Sequence, residues 1–132
     1  MVLLVIYSIC CLVLARHDAR AIARDKTIRH NSNGVFHGVC WAVGWIYCIA
    51  VKEYFIIPCF PPAGRLFFDC ALNLLRFGWQ GAGYVSPDAR QKHYTKGASK
   101  IDWYEYAVFR SGIAPKIIYA LILIILIFIR YG

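Results

Sequence analysis

From Pro115 the chain reads PKIIYALILIILIFIR before a terminal Tyr-Gly: thirteen apolar residues, Ile117 to Ile129, held between Lys116 and Arg130. A helix on the surface of a soluble protein needs a polar face, and no helical angle of this segment supplies one. A helix that is apolar all round is buried in a large core or in lipid. A chain of 132 residues has little core in which to hide it, and two further apolar stretches compete for the same space. The expectation is an all-α fold, a small integral membrane helical bundle.

Composition points the same way. Hydrophobic residues make up 60% of the chain, against about 45–50% in ordinary globular chains. The net charge of +8 is unevenly placed: Arg16, Arg20, Arg24, Lys26 and Arg29 form one basic stretch, and Arg90, Lys92, Lys96, Lys100, Arg110 and Lys116 form another. Beside apolar segments such clusters read as contacts with the cytoplasmic leaflet rather than with nucleic acid. Membrane lipids, a second copy of the chain or another membrane protein are therefore the expected partners. Four of the six cysteines (Cys10, Cys11, Cys40 and Cys48) lie inside apolar runs, with Cys59 and Cys70 close to others, and no CxxC occurs. They read as small buried hydrophobes, with no metal or other cofactor implied. In MVLLVIYSICCLVLA the charges follow the apolar run instead of preceding it, so it reads as an uncleaved anchor.

The length allows one domain, 1–132. The first helix is expected to continue past the membrane as a basic cytoplasmic extension within 16–33, closed by the run His30-Asn31-Ser32-Asn33-Gly34. The second apolar stretch, 35–51, holds Gly38 and Gly44, which leave room for close helix approach. It is interrupted by Lys52-Glu53 and then stopped by Pro58, Pro61 and Pro62. Residues 65–77 form a helix that either crosses the membrane or lies at its interface. A polar loop follows over 78–100, and a further helix begins near Ser99. Three spans and this fourth membrane-associated helix place both basic stretches inside and the N-terminus outside. Thirteen apolar residues reach only ~20 Å, so snorkelling of Lys116 and Arg130, or bilayer thinning, is expected to complete the last span.

Arg65, Asp69, Asn73 and Arg76 fall at steps of four, four and three, a polar stripe on an otherwise apolar helix. Ionisable groups at membrane depth are costly, so this stripe is the leading candidate site. Its bland reading is i,i+4 pairing on an interfacial helix. A second candidate is a helix-junction cluster of Asp18, His30, Asn31 and His37, read as polar pairing rather than as metal ligands, since no HxxxH or HExxH is present. Asp102 and Glu105 have ordinary work near a helix start, Asp102 in a capping box with Ser99. No GxSxG, GxxxxGK[ST] or GxGxxG occurs, and no catalytic residue is assigned.

The segments HDARAIARDKTIRHNSNG, RLFFDCALNLLRFGWQGAGYVSP and KGASKIDWYE together resemble uncharacterised small multi-pass membrane proteins of bacteriophages and prophages. The resemblance spans roughly residues 16–105. It implies a multi-pass helical fold in a bacterial inner membrane and brings no activity with it. The expected function is non-enzymatic, through partner binding, self-assembly or effects on the bilayer. The alternatives are a holin-like permeabilising oligomer and a membrane enzyme acting on a lipid headgroup.

Overall fold

Leu4, Tyr7, Cys11, Ala15 and Asp18 follow one another at steps of three and four, which puts them on one helical face. In helix α1 (Val2–Ala23) that face is the buried one. The structure, a computed structural model, describes residues 1–24, 30–85 and 100–132, apart from the side chains of His30, Asn31, Ser32, Ala82, Lys100, Ile101 and Trp103. Among the described residues the fold is all-α. Four helices are long and apolar enough to cross a membrane: Val2–Ala23, Asn33–Ala50, Tyr54–Gly81 and Ala114–Tyr131.

The third of these was expected to be the marginal one, yet it is the element on which the bundle is built. It is composite: a 3-10 turn Tyr54–Cys59, helix α3 (Phe60–Gly64), a π-helical stretch Arg65–Cys70, helix α4 (Ala71–Phe77) and a 3-10 turn Gly78–Gly83. It packs along α1 on one side and against the last helix on the other, with helix α2 (His30–Ala50) lying over its first half. Ile56, Cys59, Phe60 and Ala63 are buried there among Leu4, Tyr7, Cys11, Cys48 and Leu123.

Three expectations are corrected by this arrangement. The run from His30 to Gly34 opens α2 rather than closing the first helix. Asn and Ser suit a helix start as well as a helix end, because the first N–H groups need partners too. The prolines do not stop the chain outside the membrane. Pro58 sits inside the 3-10 turn, and Pro61 and Pro62 occupy the first turn of α3, where a missing N–H costs little. The reversal between the second and third spans is instead made by Val51–Glu53. There Lys52 takes φ 60°, and the N–H groups of Lys52 and Glu53 bond back to Ile49 and Cys48 carbonyls at 3.2 and 2.8 Å, a Schellman closure with lysine in the place of glycine. Finally, the loop expected from 78 begins as helix: Gly78, at φ 63° and ψ −155°, ends α4 and lets the 3-10 turn fold back. Residues 86–99 of that loop, and 25–29 with the basic Lys26 and Arg29, lie outside the described residues.

Helix α5 (Lys100–Phe109) leads through Ser111 to helix α6 (Ala114–Tyr131). Ser111 Oγ accepts from the N–H groups of Ile113 and Ala114 at 3.3 Å, capping α6 before Pro115. At 18 residues, ~27 Å at ~1.5 Å per residue, α6 extends beyond its thirteen apolar residues at both ends. A Cβ on Gly44 would lie 2.4 Å from Phe60 Cζ, so this glycine does admit a close approach, whereas Gly38 has nothing within 4 Å.

Candidate functional site

Arg65 leaves the third span at its π-helical stretch and meets three carboxylates. Its Nε and Nη2 donate to Glu105 Oε1 and Oε2 at 2.9 and 2.8 Å, the two-pronged geometry that suits a guanidinium. Nη2 also reaches Asp102 Oδ1 at 2.7 Å and Asp69 Oδ2 at 2.9 Å. From α6, Lys116 Nζ donates to Asp69 Oδ2 at 2.6 Å and stands 3.7 Å from Glu105 Oε2. The Tyr119 hydroxyl donates to Glu105 Oε1 at 2.6 Å. Five charged groups and a phenol from the third span, α5 and α6 thus share one half-buried to buried node.

The electrostatics favour keeping Glu105 ionised. Burial by itself pushes the Glu105 carboxyl up, but the bonds from Arg65, the Lys116 charge and the Tyr119 hydroxyl outweigh it and hold the group below the usual carboxylate range. Lys116 does not snorkel as expected. It is 8% exposed and is bonded to Asp69 from the first turn of α6. Arg130 lies at the opposite end of α6, where it grips Glu53 through Nε and Nη2 at 3.0 and 2.8 Å and lowers that carboxyl's pKa.

The predicted stripe is therefore divided. Arg65 and Asp69 enter the node. Asn73 is half-buried, and its backbone carbonyl lies against Gly81, where a Cβ would come within 2.2 Å. Arg76 is exposed, its guanidinium 4.6 Å from the Phe77 ring centroid and 5.9 Å from that of Tyr84. An α-helical wheel does not carry through the wider turn of a π-helical stretch, so the two halves of the stripe part company.

The expected junction cluster also resolves into separate contacts. Asp18, 4% exposed, accepts from Asn33 Nδ2 at 2.6 Å and lies 3.2 Å from His17 Nδ1. His37 instead joins Tyr7, with Nδ1 2.8 Å from the phenolic oxygen, while Trp41 Nε1–H donates to the same oxygen at 2.7 Å. Because an indole only donates, the phenolic oxygen accepts from Trp41, while the roles within the Tyr7–His37 bond follow the imidazole tautomer. Gly64 makes room for this trio: a Cβ there would lie 2.3 Å from the Tyr7 hydroxyl. The side chains of His30 and Asn31 lie outside the described residues.

Asp102, Glu105, Lys116 and Tyr119 were not foreseen as one site. A signal for α6 was present: Lys116, Tyr119, Leu123 and Leu126 recur at steps of three, four and three, and Leu123 is buried with Leu126 packed on the core. Carboxylate oxygens of Asp69, Asp102 and Glu105 all lie within 4.8 Å of one another, but Arg65 already contacts all three. As a metal site the group is thus pre-empted by a cation of the chain itself. No family model, curated protein or solved structure matches this chain.

Proposed function

We propose that the chain is a non-enzymatic integral membrane protein of a bacterial inner membrane, of phage or prophage type, that works by self-association or by binding another membrane protein. One observation carries this reading. The ionisable groups at span depth, Arg65, Asp69 and Lys116, spend their bonding capacity on one another and on Asp102, Glu105 and Tyr119. A node so satisfied fastens α5 and α6 to the third span; it does not present a poised acid, base or nucleophile. Buried charge sets used in this way fix which elements pair.

The same bonding weighs against the other two readings. A pore lined by the Arg65–Asp69 stripe needs these groups turned to water, and they are turned to carboxylates and Lys116. A lipid-headgroup enzyme would use Asp69 with Arg65, Arg76 or His30, but Asp69 is bonded to Arg65 and Lys116 and the Arg65 fork is filled by Glu105. Helix α2 turns an apolar face outward. On α2, Val35, Val39, Val43 and Ile46 are exposed, and Gly34 and Gly38 meet nothing within 4 Å.

Subunit counting in lipid nanodiscs by native mass spectrometry tests the reading. The expected result is a defined oligomer or a stoichiometric membrane-protein partner. A strict monomer that co-purifies with nothing from its own membrane overturns it. Loss of membrane potential on expression would favour the permeabilising alternative instead.

A further inference from the structure

The two ends of the bundle are chemically unlike. At one end Lys52, Glu53 and Arg130 meet, with the two acid–base partners bonded to each other. At the other, α1 packs along α4 and both carry exposed arginines: Arg16, Arg20 and Arg24 at steps of four on α1, and Arg76 on α4. Arg110 is exposed after α5 on the same side. The acidic group that α1 carries there, Asp18, is buried and already bonded to Asn33.

Arg76 is held in a particular way. Its guanidinium carbon lies 4.6 Å from the Phe77 ring centroid and 5.9 Å from that of Tyr84, and those two rings stand 4.3 Å apart, so both flank it on one side. Among the described residues no carboxylate lies within ion-pair distance of its N–H edge. Three residues further on, Trp79 is 91% exposed on the 3-10 turn. In water an indole this bare is unfavourable, whereas at a membrane interface its apolar body and N–H find matching surroundings.

We infer that Arg76, braced on Phe77 and Tyr84 beside Trp79, grips the phosphate of an anionic phospholipid in the leaflet at this end, with Arg16, Arg20 and Arg24 adding attraction along α1. The inference rests on the membrane placement proposed above and names the lipid class that this end selects. A guanidinium fork fits phosphate oxygens, and with the aromatic pair on one side of it the Arg76 guanidinium keeps its other side open to a phosphate. The neighbouring indole assigns the phosphate to a lipid rather than to a free ion or a nucleic acid backbone, because it needs acyl-chain depth beneath it.

The test uses purified full-length protein in nanodiscs of phosphatidylcholine with a fixed fraction of phosphatidylglycerol. In one set the phosphatidylglycerol is brominated near the headgroup; in the other an equal amount of the phosphatidylcholine is. Trp79 emission is the difference between wild type and Trp79→Phe. Brominated phosphatidylglycerol is expected to quench Trp79 several-fold more strongly, since each cation near an anionic leaflet contributes about fivefold. Arg76→Gln should bring the ratio down by about that factor, and Arg76→Lys, which keeps the charge but not the fork, should fall between. Equal quenching by the two lipids in wild type, or an unchanged ratio in Arg76→Gln, overturns the inference. Quenching by neither lipid overturns the membrane placement beneath it. Displacement of the brominated phosphatidylglycerol by a short single-stranded RNA would make this face a nucleic-acid surface instead.

Discussion

Asp69 is the residue on which the node balances, because one of its oxygens serves both Arg65 and Lys116. Removing it leaves Arg65 with two other carboxylates but takes from the buried Lys116 its hydrogen-bonded one, leaving Glu105 at 3.7 Å. Asp69→Leu should therefore lower the unfolding free energy by about 3–5 kcal/mol. Adding Lys116→Met should return most of that loss, since an apolar pair of similar size commonly replaces a buried ion pair at little cost. Reversible unfolding in mixed micelles measures both; a double variant less stable than Asp69→Leu would show that Lys116 is not the partner that bears the loss. Glu105 adds a pH dependence of known sign. Its folded pKa lies below the ordinary one, so its contribution is full above the usual carboxylate range and is lost as pH falls through the depressed value. The melting temperature should drop on acidification below about pH 4, and Glu105→Gln should both lower it at neutral pH and flatten the acid limb. A variant that keeps the wild-type acid limb would assign the dependence to another carboxylate.

Among the elements, the third span shows what could and could not be read from sequence. Its apolar surface and the i,i+4 relation of Arg65 and Asp69 were legible from spacing. Its N-terminal half was not, because Pro58, Pro61 and Pro62 argue locally for a stop while tertiary packing of Phe60 and Ala63 holds them in helix. The partners of Arg65 lie 37 to 51 positions along the chain (Asp102 and Glu105, with Lys116 bridging through Asp69), and no local pattern reports a contact of that range. Conversely, the all-α fold was plain, since helix periodicity and apolar length are local properties. Two turn positions test how the elements are joined. Lys52 is left-handed at the end of α2, so Lys52→Gly should stabilise by about 1 kcal/mol, read as a higher unfolding midpoint. Gly112 is a harder constraint: a Cβ there would lie 2.3 Å from the Gly83 carbonyl oxygen and 2.6 Å from Val85 Cγ2. Gly112→Ala should cost about 1–3 kcal/mol, whereas Gly38→Ala, with open space around it, should be neutral to stabilising by up to about 1 kcal/mol. Equal effects at the two glycines would contradict the close packing of Gly112 on the Gly83 turn.

For the whole molecule, the charges and the contacts agree on one orientation. The Glu53–Arg130 pair ties the reversal after α2 to the end of α6, so these two segments share one side of the membrane. The approach of Gly112 to Gly83 and Val85 ties the end of the third span to the start of α6, and these share the other. The exposed arginines Arg16, Arg20, Arg24, Arg76 and Arg110 gather on that second side, the side that the positive-inside rule predicts to be cytoplasmic. On that prediction the four spans alternate, with the N-terminus and the Arg130 end both outside. In a variant with all six cysteines replaced, Lys52→Cys should react with a membrane-impermeant maleimide on intact cells. Arg24→Cys and Arg110→Cys should react only after permeabilisation. Labelling of positions 24 and 52 from the same side would break the alternation, and labelling of 24 and 110 from opposite sides would mean that the third span does not cross. Because Arg65 and Asp69 lie on that span, the second outcome would also move the charge node out of the bilayer core. Its ion pairs would then be exposed surface contacts, worth about 0–1 kcal/mol each, and the large cost expected for Asp69→Leu would vanish with them.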